Sequence, residues 1–266
     1  MNFSTVIGIV AGIAVVAVTV FFSVDDPSVL WDPLGILVVV GGTLAATFVA
    51  FPARELRRML SVVAAVFRNE KMYAKDDLEE LVAVSRTLMK ADLRGIEKRM
   101  RGIKNPFLRL GIQLVLDGAP IEDIIDIMSW RIQKLRSREK AEAQVFRTMA
   151  AMSPAFGMVG TILGLSAMMG GLGHASIQEL GAHMALAMMT TLYGVVLSNL
   201  IFKPIAVKFE HRTMQRVALM NTIMQGVILL RQKRSPGVIE ETLGTFVIDH
   251  KDEMHDANLP DTAMKD

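Results

Sequence analysis

All 29 Lys and Arg residues of this 266-residue chain fall in two stretches, twenty in 53–147 and nine in 203–266. Four apolar stretches lie outside those blocks, at about 3–24, 34–52, 148–172 and 180–202. Each reaches the ~20 residues that a helix needs to cross a bilayer. The two remaining connections, 25–33 and about 173–179, hold no Lys or Arg, and they and the span edges carry only Asp25, Asp26, Asp32 and Glu179. Cationic side chains are retained on the cytoplasmic side of a membrane, which puts both termini and the 53–147 block inside and the two short connections outside. A signal peptide at 3–24 is disfavoured, because that stretch has no basic leader and no small-x-small cleavage site before Asp25.

Composition agrees with alternating membrane and polar parts. Hydrophobic residues make up 52% of the chain and mean hydropathy is +0.39, high for a soluble protein and low for one sunk throughout in lipid. The absence of cysteine excludes disulfides, thiolate metal sites and a cysteine nucleophile. The expected fold is an all-α membrane protein. It has four transmembrane helices, a helical cytoplasmic domain between spans two and three, and a helical C-terminal tail. The expected boundaries are 1–52 for the first two spans, 53–147 for the cytoplasmic domain, 148–203 for spans three and four, and 204–266 for the cytoplasmic helix and tail.

Local signals refine this. Trp31 sits at the outer interface before Pro33, and Gly41-Gly42-Thr43 gives span two a small patch for close helix contact. Pro52 ends that span, and Arg54, Arg57 and Arg58 follow at headgroup level. In the cytoplasmic block, Leu78, Leu81, Val82 and Ser85 repeat with helical period after Asp76 and Asp77. Phe107, Leu110, Ile112 and Leu114 form a short apolar segment that Asp117-Gly118 closes. Pro120 starts a long helix running straight into span three. Past span four, Phe209 to Leu230 continues as a helix, Ser235-Pro236-Gly237 interrupts it, and about 250–266 reads as a charged, mobile end.

The chemistry lies on spans three and four. Gly157, Gly160, Thr161, Gly164 and Met168 share one helical stripe, and Ala187, Thr190, Thr191, Gly194 and Ser198 share another. Such stripes serve close packing of membrane helices, and their hydroxyls also suit an ion path. Neither span contains a carboxylate, a lysine or an arginine, so an ion passing there needs a charged group from another chain. His174 and His183, near the outer ends, read as wet interfacial histidines without an acidic partner at helical spacing. Pro154 and Pro204 stand at the cytoplasmic ends of spans three and four, where each removes a backbone donor and favours a kink or hinge. Lys90, Asp92, Arg94, Glu97, Lys98, Arg99 and Arg101 form a mixed charge cluster, either a solvated helix face or an electrostatic docking surface. No P-loop, GxSxG, HExxH or dinucleotide loop is present, so no covalent reaction or cofactor is expected.

The segments Pro154-Ala155-Phe156-Gly157-Met158-Val159-Gly160-Thr161 with Gly164-Leu165, Thr190-Thr191-Leu192-Tyr193-Gly194, and Phe202 with Pro204-Ile205-Ala206 resemble the MotA/PomA family of flagellar motor stator subunits. That family sits within the wider MotA/TolQ/ExbB group. Weaker echoes are Val40-Gly41-Gly42, Asp117-Gly118 and Ser235-Pro236 with Val238-Ile239-Glu240. The resemblance implies a homo-pentamer in the bacterial inner membrane around a MotB/PomB-like, single-span, peptidoglycan-binding partner. That partner's aspartate carries H⁺ or Na⁺, and ion flow drives torque on a rotor protein of the FliG type; no nucleic acid is involved. It makes Thr161, Thr191 and Thr190 ion-path residues, Pro154 and Pro204 coupling prolines, and Lys90, Glu97 and Lys98 rotor contacts. Thr161 and Thr191 match hydroxyls of sodium-type members, which inclines the ion toward Na⁺. His183 departs from the small or apolar residue of several relatives.

Two other readings compete. A TolQ/ExbB-type energiser, driving a periplasm-spanning partner, belongs to the same group, but its members have three spans with the N-terminus outside. A membrane scaffold without transport predicts that alanine is tolerated at Thr161 and Thr191. One charge crossing 100 mV releases ~2.3 kcal/mol, enough to bias a rotation step.

Overall fold

The structure is a computed structural model that describes residues 31–56, 74–89, 99–100 and 102–252, together with Gly8, Ala11, Gly12, Ala14, Val15, Val18 and Phe22. The described residues are overwhelmingly helical and contain no strand. Among the described residues seven long elements follow in order: α1 (Pro33–Ala50), α2 (Ala74–Met89), α3 (Pro106–Leu116), α4 (Ile121–Gly171), α5 (Ile177–Val196), α6 (Lys203–Arg231) and α7 (Pro236–Asp252). α1 contains a π-turn at Leu37–Gly41, and a second π-turn, Leu197–Phe202, joins α5 to α6. Among the described residues, three stretches, Pro33–Ala50, Ile121–Gly171 and Ile177–Arg231, are long and apolar enough to cross a membrane. Most of the predicted first span lies outside the described residues, and its seven described residues are all helical. The predicted terminus at 250–266 lies largely outside them too.

The chain divides into two compact units, one of 1–70 with 137–213 and one of 71–136 with 214–266. In the first, the membrane helices start at clear signals. Asp32 caps α1, its Oδ1 accepting from Leu34 N at 3.0 Å with Pro33 at the first helical position. Ser176 and Glu179 form a reciprocal capping box at the start of α5, with Ser176 N donating to Glu179 Oε2 at 2.7 Å. Glu179 stands four residues before His183 on the same helix, which corrects the expectation that His183 has no acidic neighbour at helical spacing. Span two gains its close contact as expected: the place of a Cβ on Gly42 is filled by the Phe156 ring. In the same unit, Leu56, Ala143, Val145, Phe146, Met149, Ala206 and Phe209 form a buried cluster, with the Phe146 and Phe209 rings 5.4 Å apart. Beside it Arg147 grips Glu210 with two bonds, Nε to Oε1 at 2.6 Å and Nη2 to Oε2 at 2.7 Å.

The second unit has its own core of Leu81, Ile103, Leu108, Ile112, Ile124, Met128, Ile223, Val227, Ile239 and Leu243. The helical period read at α2 is real, since Leu81, Val82 and Ser85 are buried. Asn105 caps α3 by accepting from Phe107 N at 2.9 Å, and its amide donates to the buried Asp77 at 2.7 Å. α3 ends at the expected turn, where Gly118 adopts φ +75°, a left-handed conformation that favours glycine. Arg231 ties that turn to the end of α6, donating to Ala119 O at 2.8 Å and Gly118 O at 3.1 Å. Arg86 of α2 and Glu240 of α7 pair at 2.9 Å in the open, a contact worth little by itself. Gly226 is tightly packed in this core, because Leu81 occupies the place of its Cβ and Leu243 lies 3.2 Å from it.

Two outcomes follow. Gly226→Val overfills that contact and should destabilise the protein by ~1–3 kcal/mol, seen as a lower melting temperature of the solubilised protein. Arg147, through its hydrogen bonds first, holds the Glu210 carboxyl below the usual carboxylate range. Glu210 therefore contributes stability above its ordinary pKa of ~4.3, and the contribution disappears as pH falls through the lowered folded-state value. Melting curves of wild type and Glu210→Gln should converge in that acid window and differ at neutral pH.

Candidate functional site

α4 and α5 meet along the two small-residue stripes, and the fit depends on missing side chains. A Cβ on Gly157 would lie 2.9 Å from Thr190 O and 3.3 Å from Thr191 Cα. One on Gly160 would lie 2.5 Å from Thr190 Cβ, and one on Gly164 would lie 2.7 Å from His183 O. From the other side, a Cβ on Gly194 would lie 2.7 Å from Ser153 O and 3.1 Å from Pro154 Cα. Real Cβ contacts do not approach so closely, so the glycines set the distance between the helices. By contrast, Gly170 has nothing within 4 Å of its Cβ position.

Hydroxyls cross this seam. Thr161 Oγ1 lies 3.0 Å from Ala187 O on α5 and 3.1 Å from Gly157 O on its own helix, and it also contacts Thr191 Oγ1. Thr190 Oγ1 donates to the same Ala187 oxygen at 3.1 Å. The three predicted path residues are thus brought together, with unequal access. Thr190 is wholly enclosed, packed against Gly160 and, on α1, Gly35. Thr191 is exposed and Thr161 half-buried, so their hydroxyl pair opens on the outside of the chain. Each hydroxyl has one proton and two lone pairs, which leaves oxygens able to receive a cation or water.

Of the two predicted coupling prolines, Pro154 borders the seam, its Cα 3.1 Å from the Cβ position of Gly194. α4 runs through Pro154 unbroken, and Pro204 stands two residues past the end of the second π-turn. A π-turn widens the helix by one residue, which accommodates the donor that a proline removes. Ser198 Oγ donates to Ala150 O at 2.7 Å and Ser153 Oγ donates to Gly194 O at 3.1 Å, both bonds fully buried. Lys90, Glu97 and Lys98 lie outside the described residues.

One group escaped the sequence reading. Asp32 N donates to Tyr193 Oη at 3.1 Å, across 161 residues of sequence. Its Oδ2 is enclosed, has no hydrogen-bond partner among the described residues, and lies 2.9 Å from the Cβ position of Gly35, beside Thr190 and Tyr193. A carboxylate of this chain therefore reaches the rim of the seam, although spans three and four contain none. Its Asp-Pro cap was legible; its depth beside α5 was not.

The arrangement has relatives. The model of the MotA/TolQ/ExbB proton channel family matches residues 99–222, and that of the motility protein A N-terminal region matches 6–95. Motility protein A of Borreliella burgdorferi is 30% identical over 247 residues, covering 93% of this chain and 94% of that protein. This chain belongs to the motility protein A family. Chemotaxis protein PomA of Vibrio alginolyticus is 29% identical over 253 residues, covering 94% and 97%. The flagellar MotAB stator complex from Bacillus subtilis has a chain that superposes with a TM-score of 0.83 at 25% identity, covering 95% of this chain and 98% of that one. C. jejuni MotAB gives 0.84 at 20% identity, covering 92% and 96%, a likeness of fold. As a member of the motility protein A family, the chain is a membrane protein of the flagellar stator, in a family of ion channels and not of enzymes.

Gly160→Ala should lower stability by ~1–3 kcal/mol, because Thr190 must move, whereas Gly170→Ala should be neutral or stabilising by up to ~1 kcal/mol. Thermal unfolding of both variants, purified from membranes, compares the two positions.

Proposed function

We propose that this chain is the A-type subunit of a flagellar stator and that the Thr161–Thr191 face lines its ion path. It works with a MotB-like, single-span, peptidoglycan-binding partner whose aspartate carries the ion. Flow of Na⁺ or H⁺ past that face, with Na⁺ favoured by the paired hydroxyls, generates torque on a rotor protein of the FliG type. The working assembly is a homo-pentamer around the partner in the inner membrane. It has four spans, both termini in the cytoplasm, a cytoplasmic domain at 53–147 and a cytoplasmic tail at 204–266. Lys90, Glu97 and Lys98 meet the rotor, and Pro154 and Pro204 link ion movement to shape.

The observation that carries this reading is the open hydroxyl pair. Two threonines from different helices point their oxygens at a surface that this chain leaves uncovered, and a hard cation favours oxygen ligands. Full-length similarity to motility protein A and PomA supports a stator over a TolQ/ExbB-type energiser.

In a strain without its own stators, this chain and its one-span partner should restore swimming, and replacing Na⁺ by K⁺ at fixed pH should abolish it. Thr191→Ala should at least halve the speed without lowering the amount of protein in the membrane. Swimming that persists in K⁺ but stops with a protonophore makes the ion H⁺. No swimming in any medium, with both chains in the membrane, contradicts the stator reading.

A further inference from the structure

The two buried serines of the seam stand in an unusual relation to the proline between them. In a helix each backbone N–H serves the carbonyl four residues earlier, so Pro154 leaves Ala150 O without its donor. The group that occupies that oxygen is Ser198 Oγ, reaching across from the π-turn at 2.7 Å. Ser153, immediately before the proline, reaches the opposite way to Gly194 O at 3.1 Å. Both serines are buried, Ser153 at 0% and Ser198 at 1% exposure.

These four groups have a second complete pairing. A serine in a helix can turn its hydroxyl back onto a carbonyl three or four residues earlier. For Ser153 the carbonyl three residues back is Ala150 O, and for Ser198 the one four residues back is Gly194 O. We infer that Ser153 and Ser198 are positioning residues that exchange acceptors, each passing from the carbonyl across the seam to the one on its own helix. In the crossed state one bond ties α4 to the π-turn and the other ties it to the last turn of α5. In the exchanged state the same oxygens keep the same number of donors and the helices are released from each other. No buried polar group is stranded in either state, so the exchange meets no penalty for an unmade bond. The π-turn supplies the slack, because its wider winding lets Ser198 turn without breaking a tight i→i−4 ladder.

The pairing assigns the serines different effects. Without the Ser153 hydroxyl, Ser198 cannot leave Ala150 O without stranding it, whereas Gly194 O keeps the backbone donor it has from Leu197 N. Removing that bond therefore locks the seam closed, the opposite of what losing a merely structural bond does. The test is amide hydrogen exchange of the full chain in lipid nanodiscs, read over residues 197–202. Ser153→Ala should slow exchange there about tenfold, Ser153→Thr should match wild type, and Ser198→Ala should accelerate it. Exchange in Ser153→Ala that equals or exceeds wild type overturns the proposal, and the Ser153 pair decides even if Ser198→Ala fails to fold.

The consequence for motility rests on the stator reading. With the partner present, Ser153→Ala should lower torque at least threefold at unchanged membrane level. A wild-type chain that gives no torque would count against the stator reading alone, since the exchange rates are measured without it.

Discussion

The separation between α4 and α5 governs the membrane part of this protein. Four glycines at the contact leave room for backbone and hydroxyl groups of the facing helix, and any Cβ there meets an atom within 3 Å. Magnitudes show which effect sets the geometry. Overfilling one such contact costs ~1–3 kcal/mol, whereas a side-chain hydrogen bond between membrane helices averages ~0.6 kcal/mol. Glycines therefore fix the distance, and the hydroxyls of Thr161, Ser153 and Ser198 fix the register. Packing and ion conduction, which competed as readings of the stripes, use different edges of one surface. Thr190 packs inside, while Thr161 and Thr191 face out.

The same scale bears on how an ion could move this seam. One elementary charge crossing 100 mV releases ~2.3 kcal/mol, several times the worth of one interhelical hydrogen bond in a membrane. It is comparable to the cost of overfilling a glycine contact. An ion step is thus sufficient to rearrange the hydroxyl bonds. The moving parts would be the serine and threonine bonds and the π-turn, with the glycine spacing kept. Continuity of the winding from α5 through the π-turn into α6 gives such a rearrangement a direct route along the chain.

Much of this was legible in the sequence, for definite reasons. Hydropathy and the confinement of Lys and Arg to two blocks are averages over many residues, so the spans and the long α4 emerge from them. The stripes are legible because helical period needs only the local order of residues. Asp117-Gly118 and Ser235-Pro236 mark their turns through backbone preferences of single residues. The Asp32–Tyr193 contact spans 161 residues and follows from how deeply α1 sits against α5, which no local pattern records. The π-turns were equally hidden, although Pro204 gave one a cause. Glu179 beside His183 needed only counting by four, and the capping box that engages Glu179 was readable in Ser176 and Glu179.

The central claim is that the Thr161–Thr191 face meets the ion-carrying span of a partner. Because the chain has no cysteine, an introduced one reports cleanly. Thr191→Cys can be paired with a scan of single cysteines along the partner's span, and disulfide formation measured in membranes. The account predicts cross-links confined to positions within one helical turn of the partner's acid. Cross-links that form only far from that acid, or that form equally well from Ile162→Cys on the neighbouring exposed face of α4, would contradict it.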